Sequence, residues 1–281
     1  MTIDSIVFDM DGVLRYGNRP GIGASDIISF IKMNKIPSII VSNECRFTER
    51  EIRDDMTKMG VEIPETWPIY TAAMMAADFI SDRYIKCKKK LFAIGIVGEN
   101  GLHQEILSIT NKGCQIFEDP PIREHLNIEY ILVIGALHFM TSAVLEKAER
   151  WIRAGAKIIT TCPDDSDPEY SGYNLITPDR IMHMLAYKQP PLECTSTGKP
   201  NLKIGSKIKT LLKKPNLSNT LFIGDTLATD IKLANDLEMK SCFLISSNIG
   251  VQSLKWSFVL PDYICKNLIE VKEVIRDSIE P

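Results

Sequence analysis

Residues 6–14 read Ile-Val-Phe-Asp-Met-Asp-Gly-Val-Leu, and this stretch decides both the fold and the search for a functional site. The apolar run from Ser5 to Phe8 is typical of a strand buried on both faces of a parallel sheet, because it shows no polar alternation. Two carboxylates, Asp9 and Asp11, follow the run directly. A buried ionised carboxylate without a partner is very unfavourable, so the chain must supply a cation or hydrogen-bond donors elsewhere.

Apolar runs of strand length recur along the chain, with helical patterns in the gaps between them. One helical pattern lies between Thr48, which opens a capping-box spacing, and Gly60; another covers residues 141–154 and is closed by Gly155. Alternating strands and helices predict an α/β fold with parallel sheets. The further predicted strands are Ser38–Val41, Leu91–Val97, Tyr130–Ile134, Lys157–Thr161, Thr220–Ile223 and Ser241–Ile245.

Two breaks in the pattern predict a second module inserted into the first. The basic segment Lys-Cys-Lys-Lys-Lys at residues 86–90 is typical of a solvated connector, and the run Gln-Pro-Pro at residues 189–191 interrupts the next pattern. The predicted organisation is a discontinuous outer domain at residues 1–80 and 193–281, with an inserted α/β domain at residues 81–192.

Composition excludes several classes of protein. A formal net charge of -3 argues against nucleic acid as a partner, since proteins that bind it usually carry a basic stripe. No apolar run approaches the ~20 residues needed to span a bilayer, and the first residues lack the pattern of a secretory leader. We therefore expect a cytoplasmic protein without a membrane partner. Its seven cysteines show no C-x-x-C pair, which favours reduced, mostly buried thiols.

Polar side chains follow four of the predicted strand ends, which is where ligands bind in an open α/β sheet. Several carboxylates together select Mg²⁺, which takes oxygen ligands and commonly binds with a substrate phosphate. A metal, a lysine and backbone donors also offset the repulsion between a phosphate and an attacking carboxylate, which then forms an aspartyl-phosphate. The candidate residues are Asp9, Asp11, Ser42, Asn43, Lys199, Asp225 and Asp230.

Each of these signals is ordinary when taken alone. Asp11-Gly12 is a common turn dipeptide, Ser42 a common helix cap and Lys199 a common surface residue. A calcium-binding EF-hand loop is excluded, because it needs glycine at its sixth position whereas Gly12 is fourth. It is the set of four, each after a predicted strand and in this order, that indicates a site.

In that order, the motifs resemble those of haloacid dehalogenase superfamily phosphatases. The motifs are Asp9-Met10-Asp11-Gly12, Ser42-Asn43, Lys199-Pro200 and Gly224-Asp225 with Asp230. The inserted segment is similar to the cap of the class IIA branch, which includes NagD-type nucleotidases, phosphoglycolate phosphatases and pyridoxal phosphate phosphatases. The resemblance implies a Rossmann-like parallel-sheet core, an α/β cap of the C2a type and Mg²⁺ as cofactor.

The resemblance also implies a role for each motif residue. Asp9 would be the nucleophile and a metal ligand, and Asp11 would be the general acid and then the general base, with its main-chain carbonyl on the metal. The remaining roles are phosphoryl binding by Ser42 and the Asn43 backbone, charge neutralisation by Lys199, completion of the metal site by Asp225, orientation of Lys199 or a metal-bound water by Asp230, and a turn at Gly12.

The sequence departs from the family pattern at three places. Glu44 adds an acid beside the phosphate-binding turn, and phosphate affinity would fall if it pointed inward. The cap motif reads Thr-Cys-Pro-Asp at residues 161–164, with Cys162 replacing asparagine, and residues 174–180 lack the expected glycines. We expect a cap loop with Asp164, Asp165, Tyr170 and Tyr173 to choose the substrate, although the two tyrosines fit a cap core better.

The leading hypothesis is therefore a Mg²⁺-dependent phosphatase that hydrolyses a small phosphorylated metabolite of the nucleotide, sugar phosphate, phosphoglycolate or pyridoxal phosphate class. Two alternatives stay open: a phosphotransferase or mutase that uses the same phosphoaspartate, and a catalytically weak phosphate-binding regulatory protein. Haloacid dehalogenation fits poorly, since it needs neither Asp11 nor a metal site. The resemblance leaves room for a homodimer formed through the caps.

Overall fold

The fold is described from a computed structural model, which covers residues 2–85, 91–110, 114–121, 128–163, 175–186, 192–245 and 257–279. The predicted connector at residues 86–90, and the predicted substrate loop with Asp164, Asp165, Tyr170 and Tyr173, lie outside these described residues. The chain divides into two compact units. The first comprises residues 1–42, 50–70 and 199–281, and the second comprises residues 43–49 and 71–198.

The first unit is built on a mostly buried sheet in the order β13-β12-β11-β1-β4-β5. The pairs β1–β11, β1–β4, β11–β12 and β12–β13 are parallel, as the unbroken apolar runs predict. The strands are β1 (Ser5–Phe8), β4 (Ser38–Ser42), β5 (Ile69–Thr71), β11 (Thr220–Gly224), β12 (Lys240–Leu244) and β13 (Tyr263–Cys265), and a short antiparallel pair is formed by β2 (Arg15–Tyr16) and β3 (Arg19–Pro20).

Helices connect these strands and bury one apolar face each. Helix α1 (Ala24–Met33) buries Ile27 and Ile31, and α7 (Ile204–Leu212) buries Ile208. Such spacing at three and four residues is the amphipathic pattern of a helix packed on a sheet. The other helical segments of this unit are α2 (Glu49–Lys58, whose first residue belongs to the second unit), a π-helical turn Leu227–Ile231, α8 (Lys232–Asp236) and α9 (Leu268–Ile279).

The second unit has its own parallel sheet, in the order β10-β9-β8-β6-β7. Its core is centred on the fully buried Trp151, whose indole nitrogen donates to the carbonyl of Glu118 at 3.1 Å. The strands are β6 (Leu91–Val97), β7 (Cys114–Ile116), β8 (Ile128–Ile134), β9 (Lys157–Thr160) and β10 (Cys194–Ser196). The helical segments are α3 (Ala72–Ile80), a π-helical turn Ser81–Ile85, α4 (Asn100–Ile109), α5 (Ser142–Arg153) and α6 (Pro178–Ala186).

The parallel-sheet α/β class predicted from the sequence is confirmed. The boundaries of the compact units fall elsewhere than the predicted domain boundaries: residues 71–80 and 193–198 group with the second unit, together with the loop 43–49. Among the described residues, no helix is both long and apolar enough to cross a bilayer. The described cysteines are free thiols, and all except Cys194 are buried.

Candidate active site

The central strand of the first unit places Asp9 at the carboxyl edge of the sheet. Strand β1 ends at Phe8, and the backbone N–H of Asp9 still donates to the carbonyl of Ile223 on β11 at 2.9 Å. Since β1 lies between β11 and β4, Asp9 is surrounded on both sides, and its side chain is only 9% exposed. The fold thus buries a carboxylate that needs a partner.

Lys199 is that partner. Its ammonium Nζ lies 2.6 Å from Asp9 Oδ1 and 2.6 Å from Asp230 Oδ1, and the lysine is 2% exposed. Burial by itself lowers the pKa of this lysine, but the charges of Asp230 and then Asp9 outweigh that effect and leave the pKa raised. Lys199 is therefore a fixed positive charge between two carboxylates.

Asp230 uses its second oxygen to hold the turn that follows β11. Oδ2 accepts from the backbone N–H groups of Asp225 at 3.2 Å and Thr226 at 3.1 Å. The close approach requires glycine at position 224, because a Cβ there would stand 2.2 Å from the Cβ of Asp230. One carboxylate thus positions both Lys199 and the backbone that carries Asp225.

Asp225 lies against the turn that carries the first motif. A Cβ on Gly12 would stand 1.9 Å from Asp225 Oδ2, and Gly12 has a φ of +84°, a conformation that other residues rarely adopt. The hydroxyl of Thr226 donates to Asp225 Oδ1 at 3.2 Å. Burial and the neighbouring Asp230 raise the pKa of Asp225 to about 7.

Among the described residues, one acidic cluster could hold a metal ion: Asp9, Asp225 and Asp230, with ligand oxygens within 4.8 Å of one another. Three carboxylates against the single ammonium of Lys199 leave two excess negative charges. Burial, Asp230 and Asp225 together raise the pKa of Asp9 well above its ordinary value, even though Lys199 opposes them. A divalent cation with a preference for oxygen ligands fits this donor set and would neutralise the excess.

The three carboxylates of this cluster are not equally available to a metal ion. Both oxygens of Asp230 already have partners, Lys199 on one side and two backbone N–H groups on the other. Asp9 and Asp225 are therefore the carboxylates better suited to direct metal contact. The resemblance also assigned the main-chain carbonyl of Asp11 to the metal, and Asp225 packs against the turn at Gly12 that follows this carbonyl.

The side chain of Asp11 contacts an arginine that the sequence analysis missed. Arg15 donates from Nε to Asp11 Oδ1 at 2.7 Å, and its terminal Nη2 lies 3.4 Å from Oδ2. The Arg15 side chain is 7% exposed, whereas that of Asp11 is 42% exposed. A spacing of four residues is a contact signal only in a helix, and here the chain forms a tight turn, so no sequence pattern pointed to this pair.

Ser42 and Asn43 follow one another at the end of β4, where the chain passes from the first unit to the second. Ser42 is buried at the end of the strand. Glu44 follows Asn43. Its carboxylate accepts from the backbone N–H groups of Cys45 at 2.8 Å and Arg46 at 2.7 Å and also pairs with the Arg46 guanidinium. The negative charge of Glu44 is therefore neutralised within its own loop.

That loop belongs to a longer network inside the second unit. Arg46 contacts Nε2 of His138 at 3.1 Å, and Nδ1 of His138 lies 2.7 Å from the carboxylate of Glu99. Since arginine can only donate, Nε2 accepts and Nδ1 donates to Glu99. Burial, and to a smaller extent the charge of Glu44, raises the pKa of the neighbouring Cys45 to about 11. This cysteine is therefore a neutral, unreactive thiol near pH 7.

Two family models match the chain. One, described as haloacid dehalogenase-like hydrolase, matches residues 6–109. The other, described as HAD-hydrolase-like, matches residues 196–271. The first match contains Asp9, Asp11 and Ser42, and the second contains Lys199 and Asp225. The two matches therefore include every motif that the sequence analysis assembled.

Curated relatives align along nearly the whole chain. An acid sugar phosphatase of Staphylococcus haemolyticus is 26% identical and covers 97% of both chains. The ribonucleotide monophosphatase NagD of Escherichia coli K12 is 24% identical, over 96% of this chain and 99% of its own. Among solved structures, a 4-nitrophenylphosphatase from Thermotoga maritima superposes with a TM-score of 0.79, at 21% identity, over 97% of each chain. This likeness confirms the fold.

Proposed function

This chain belongs to the haloacid dehalogenase-like hydrolases, and from that premise we propose that it is a Mg²⁺-dependent phosphatase of small phosphomonoesters that works through an aspartyl-phosphate on Asp9. The observation that carries the proposal is the buried arrangement in which Lys199 joins Asp9 to Asp230 while Asp225 lies beside them. Named phosphatases among the relatives support the same activity.

In the first half-reaction, a carboxylate oxygen of Asp9 forms a bond to phosphorus while the bond from phosphorus to the ester oxygen breaks. Lys199 fixes Asp9 through Oδ1 and holds positive charge next to the phosphoryl group. Asp11 gives its proton to the departing alkoxide. The first product is the free alcohol, and the phosphoryl group stays on Asp9.

In the second half-reaction, Asp11 takes a proton from a water molecule, whose oxygen attacks phosphorus. The bond between phosphorus and the Asp9 oxygen breaks, and inorganic phosphate leaves with Asp9 restored as a carboxylate. Asp9, Asp225 and the main-chain carbonyl of Asp11 would hold Mg²⁺, which would supply positive charge that offsets the repulsion between carboxylate and phosphate. Ser42 and the Asn43 backbone hold the phosphoryl oxygens.

The substrate that we propose is a small phosphorylated metabolite. Relatives are named acid sugar phosphatase and ribonucleotide monophosphatase, and sugar phosphates and nucleoside monophosphates are both monoesters of an alcohol. Glu44 does not weigh against phosphate binding, because its carboxylate is paired with Arg46 and two backbone N–H groups.

The test is phosphate release from a panel of sugar phosphates, nucleoside monophosphates and 4-nitrophenyl phosphate, with Mg²⁺ and with a chelator. We expect Mg²⁺-dependent release without an added acceptor alcohol, which separates hydrolysis from phosphoryl transfer. Asp9→Asn should abolish turnover while the fold persists. The matched control is Asp236→Asn, which changes an outer carboxylate on α8 that pairs with Lys232 and should keep full activity. Substantial turnover by Asp9→Asn would overturn Asp9 as the nucleophile.

A further inference from the structure

The backbone that follows the first motif brings Arg15 back to Asp11. The N–H of Gly12 donates to the carbonyl of Arg15 at 2.8 Å, and the N–H of Arg15 donates to the carbonyl of Met10 at 3.0 Å. These bonds close the loop between Asp11 and the start of β2. Arg15 is thereby fixed in space and 6% exposed, although it belongs to a strand of only two residues.

The Arg15 guanidinium holds the two oxygens of Asp11 unequally. Nε lies 2.7 Å from Oδ1, a strong charge-assisted bond, whereas Nη2 lies 3.4 Å from Oδ2, beyond the usual range for such a bond. The side chain of Asp11 is also 42% exposed. The contact therefore fixes the rotamer of Asp11 through Oδ1 and leaves Oδ2 more weakly held.

We propose that Arg15 is a positioning residue for proton transfer: by anchoring Oδ1 of Asp11 it presents Oδ2 to the oxygen of the leaving group. The inference rests on the proposed phosphatase function, in which Asp11 is the proton donor. It assigns a task to a buried arginine that neither the family motifs nor the sequence pattern singled out.

A positioned acid matters only when the leaving group needs a proton. 4-Nitrophenolate is a weak base that departs without one, whereas the alkoxide of benzyl alcohol is a strong base that must be protonated as it leaves. Benzyl phosphate and 4-nitrophenyl phosphate are similar in size and have the same charge. The ratio of their kcat/KM values therefore reports proton transfer to the leaving group, since kcat/KM excludes the second half-reaction that both esters share.

The variant Arg15→Met keeps much of the apolar stem and removes the guanidinium. We expect its kcat/KM for benzyl phosphate, which reports only the steps up to release of the alcohol, to fall about 10- to 100-fold, part of the ~10²–10⁴-fold that a well-placed acid contributes. For 4-nitrophenyl phosphate we expect kcat/KM to stay within about threefold, because the first half-reaction of this ester does not use the acid. Arg15→Lys should recover part of the loss, since an ammonium can still reach Oδ1.

The matched control is Arg53→Met, which removes another partly buried arginine of the same unit. Arg53 donates to the carbonyls of Pro64 at 3.3 Å and Trp67 at 2.6 Å and so supports the loop that precedes β5. This change should lower the melting temperature and leave the ratio of the two kcat/KM values unchanged. Melting temperatures of all variants show whether each one is folded at the assay temperature.

The double variant tests whether Arg15 acts through Asp11. In an Asp11→Asn background, adding Arg15→Met should not change the ratio further, because the group to be positioned is gone. The inference is overturned if Arg15→Met lowers kcat/KM equally for both esters, if it raises kcat/KM for benzyl phosphate, or if its effect persists without Asp11. If the unmodified protein releases phosphate from neither ester, the proposed function itself fails and the inference falls with it.

Discussion

At the scale of single residues, the acidic cluster depends on Gly12, because a side chain at this position would occupy the space that Asp225 fills. Gly12 has a left-handed backbone, and any Cβ would collide with the Asp225 carboxylate at 1.9 Å. We predict that Gly12→Ala displaces Asp225 and lowers kcat at least about 100-fold. A displacement of ~1 Å in a catalytic group already has an effect of this order. Phosphate release and Mg²⁺ binding by calorimetry measure the two effects.

Gly60 provides the control for that change. It also has a left-handed backbone, with φ at +78°, but nothing lies within 4 Å of a Cβ built there. Gly60→Ala should therefore cost only the backbone strain, about 1–2 kcal/mol of the free energy of unfolding, and leave kcat unchanged. Equal losses of activity in the two variants would contradict the role of Gly12 as a spacer for Asp225.

The raised pKa of Asp225 predicts how the stability of the metal-free protein depends on pH. The pKa is about 7 in the folded chain against an ordinary value of 3.8, so the folded form binds the proton more tightly. The unfolding free energy therefore rises as pH falls through 7 toward 4. With a chelator present, we expect a higher melting temperature at pH 6 than at pH 8.

Two further measurements separate the effect of Asp225 from the effects of other titrating groups. Asp225→Asn should raise the melting temperature at pH 8 and flatten its dependence on pH, while groups such as His103, whose pKa burial lowers, stay the same in both proteins. Mg²⁺ should stabilise the unmodified protein more at pH 8 than at pH 6, because the metal competes with protons for Asp225. A steeper pH dependence in Asp225→Asn would contradict this account.

At the scale of elements, the long buried strands were predictable and the short polar ones were not. The prediction for β1 and β6 matches the structure to the residue, and those for β4 and β11 fall short by one residue, because an unbroken apolar run is a strong signal. Strand β2 has two residues and one of them is Arg15, so its sequence carries no period. The contact between Arg15 and Asp11 could not be predicted either, because no sequence pattern places Arg15 in the structure.

The loop after β4 shows another limit of the sequence. Glu44 was recognisable as an unusual acid, but only the fold shows that Arg46, two residues later, turns back to pair with it. Such a pair cannot be read from spacing, since residues two apart face each other only in particular loop conformations. Motif order gave the members of the acidic cluster, whereas the positions of their partners depended on tertiary structure.

The pairing of Glu44 with Arg46 leads to a prediction about this loop. Their side chains are 2% and 11% exposed, so removing either partner leaves a largely buried charge. We expect Glu44→Ala and Arg46→Met each to lower the free energy of unfolding by about 3 kcal/mol, and the double variant to lose less than the sum. Urea denaturation measures all three. Glu273→Ala, which removes an exposed partner of Arg276, should change stability by less than about 1 kcal/mol.

At the scale of the whole molecule, the residues of the candidate metal site come from one unit that is discontinuous in sequence. Asp9 lies in its first segment, and Lys199, Asp225 and Asp230 lie in its last. The second unit, which lies between them in sequence, has a separate sheet and a separate core around Trp151. The two breaks in the sequence pattern predict an inserted module bounded by residues 80 and 193, whereas the compact units change over at residues 70 and 199.

Because a ligand stabilises the structure that binds it, Mg²⁺ should protect the two units unequally. We expect amide hydrogen exchange to slow on addition of Mg²⁺ in β1 and β11, whose ends carry Asp9 and Asp225, and to stay the same in β6 and β8 of the second unit. Mass spectrometry of peptides from these strands measures the difference. The effect should disappear in Asp225→Asn and persist in Asp236→Asn. Equal slowing in both units would show that the metal acts on the chain as one cooperative body, and slowing confined to β6 and β8 would place the metal outside the Asp9 cluster.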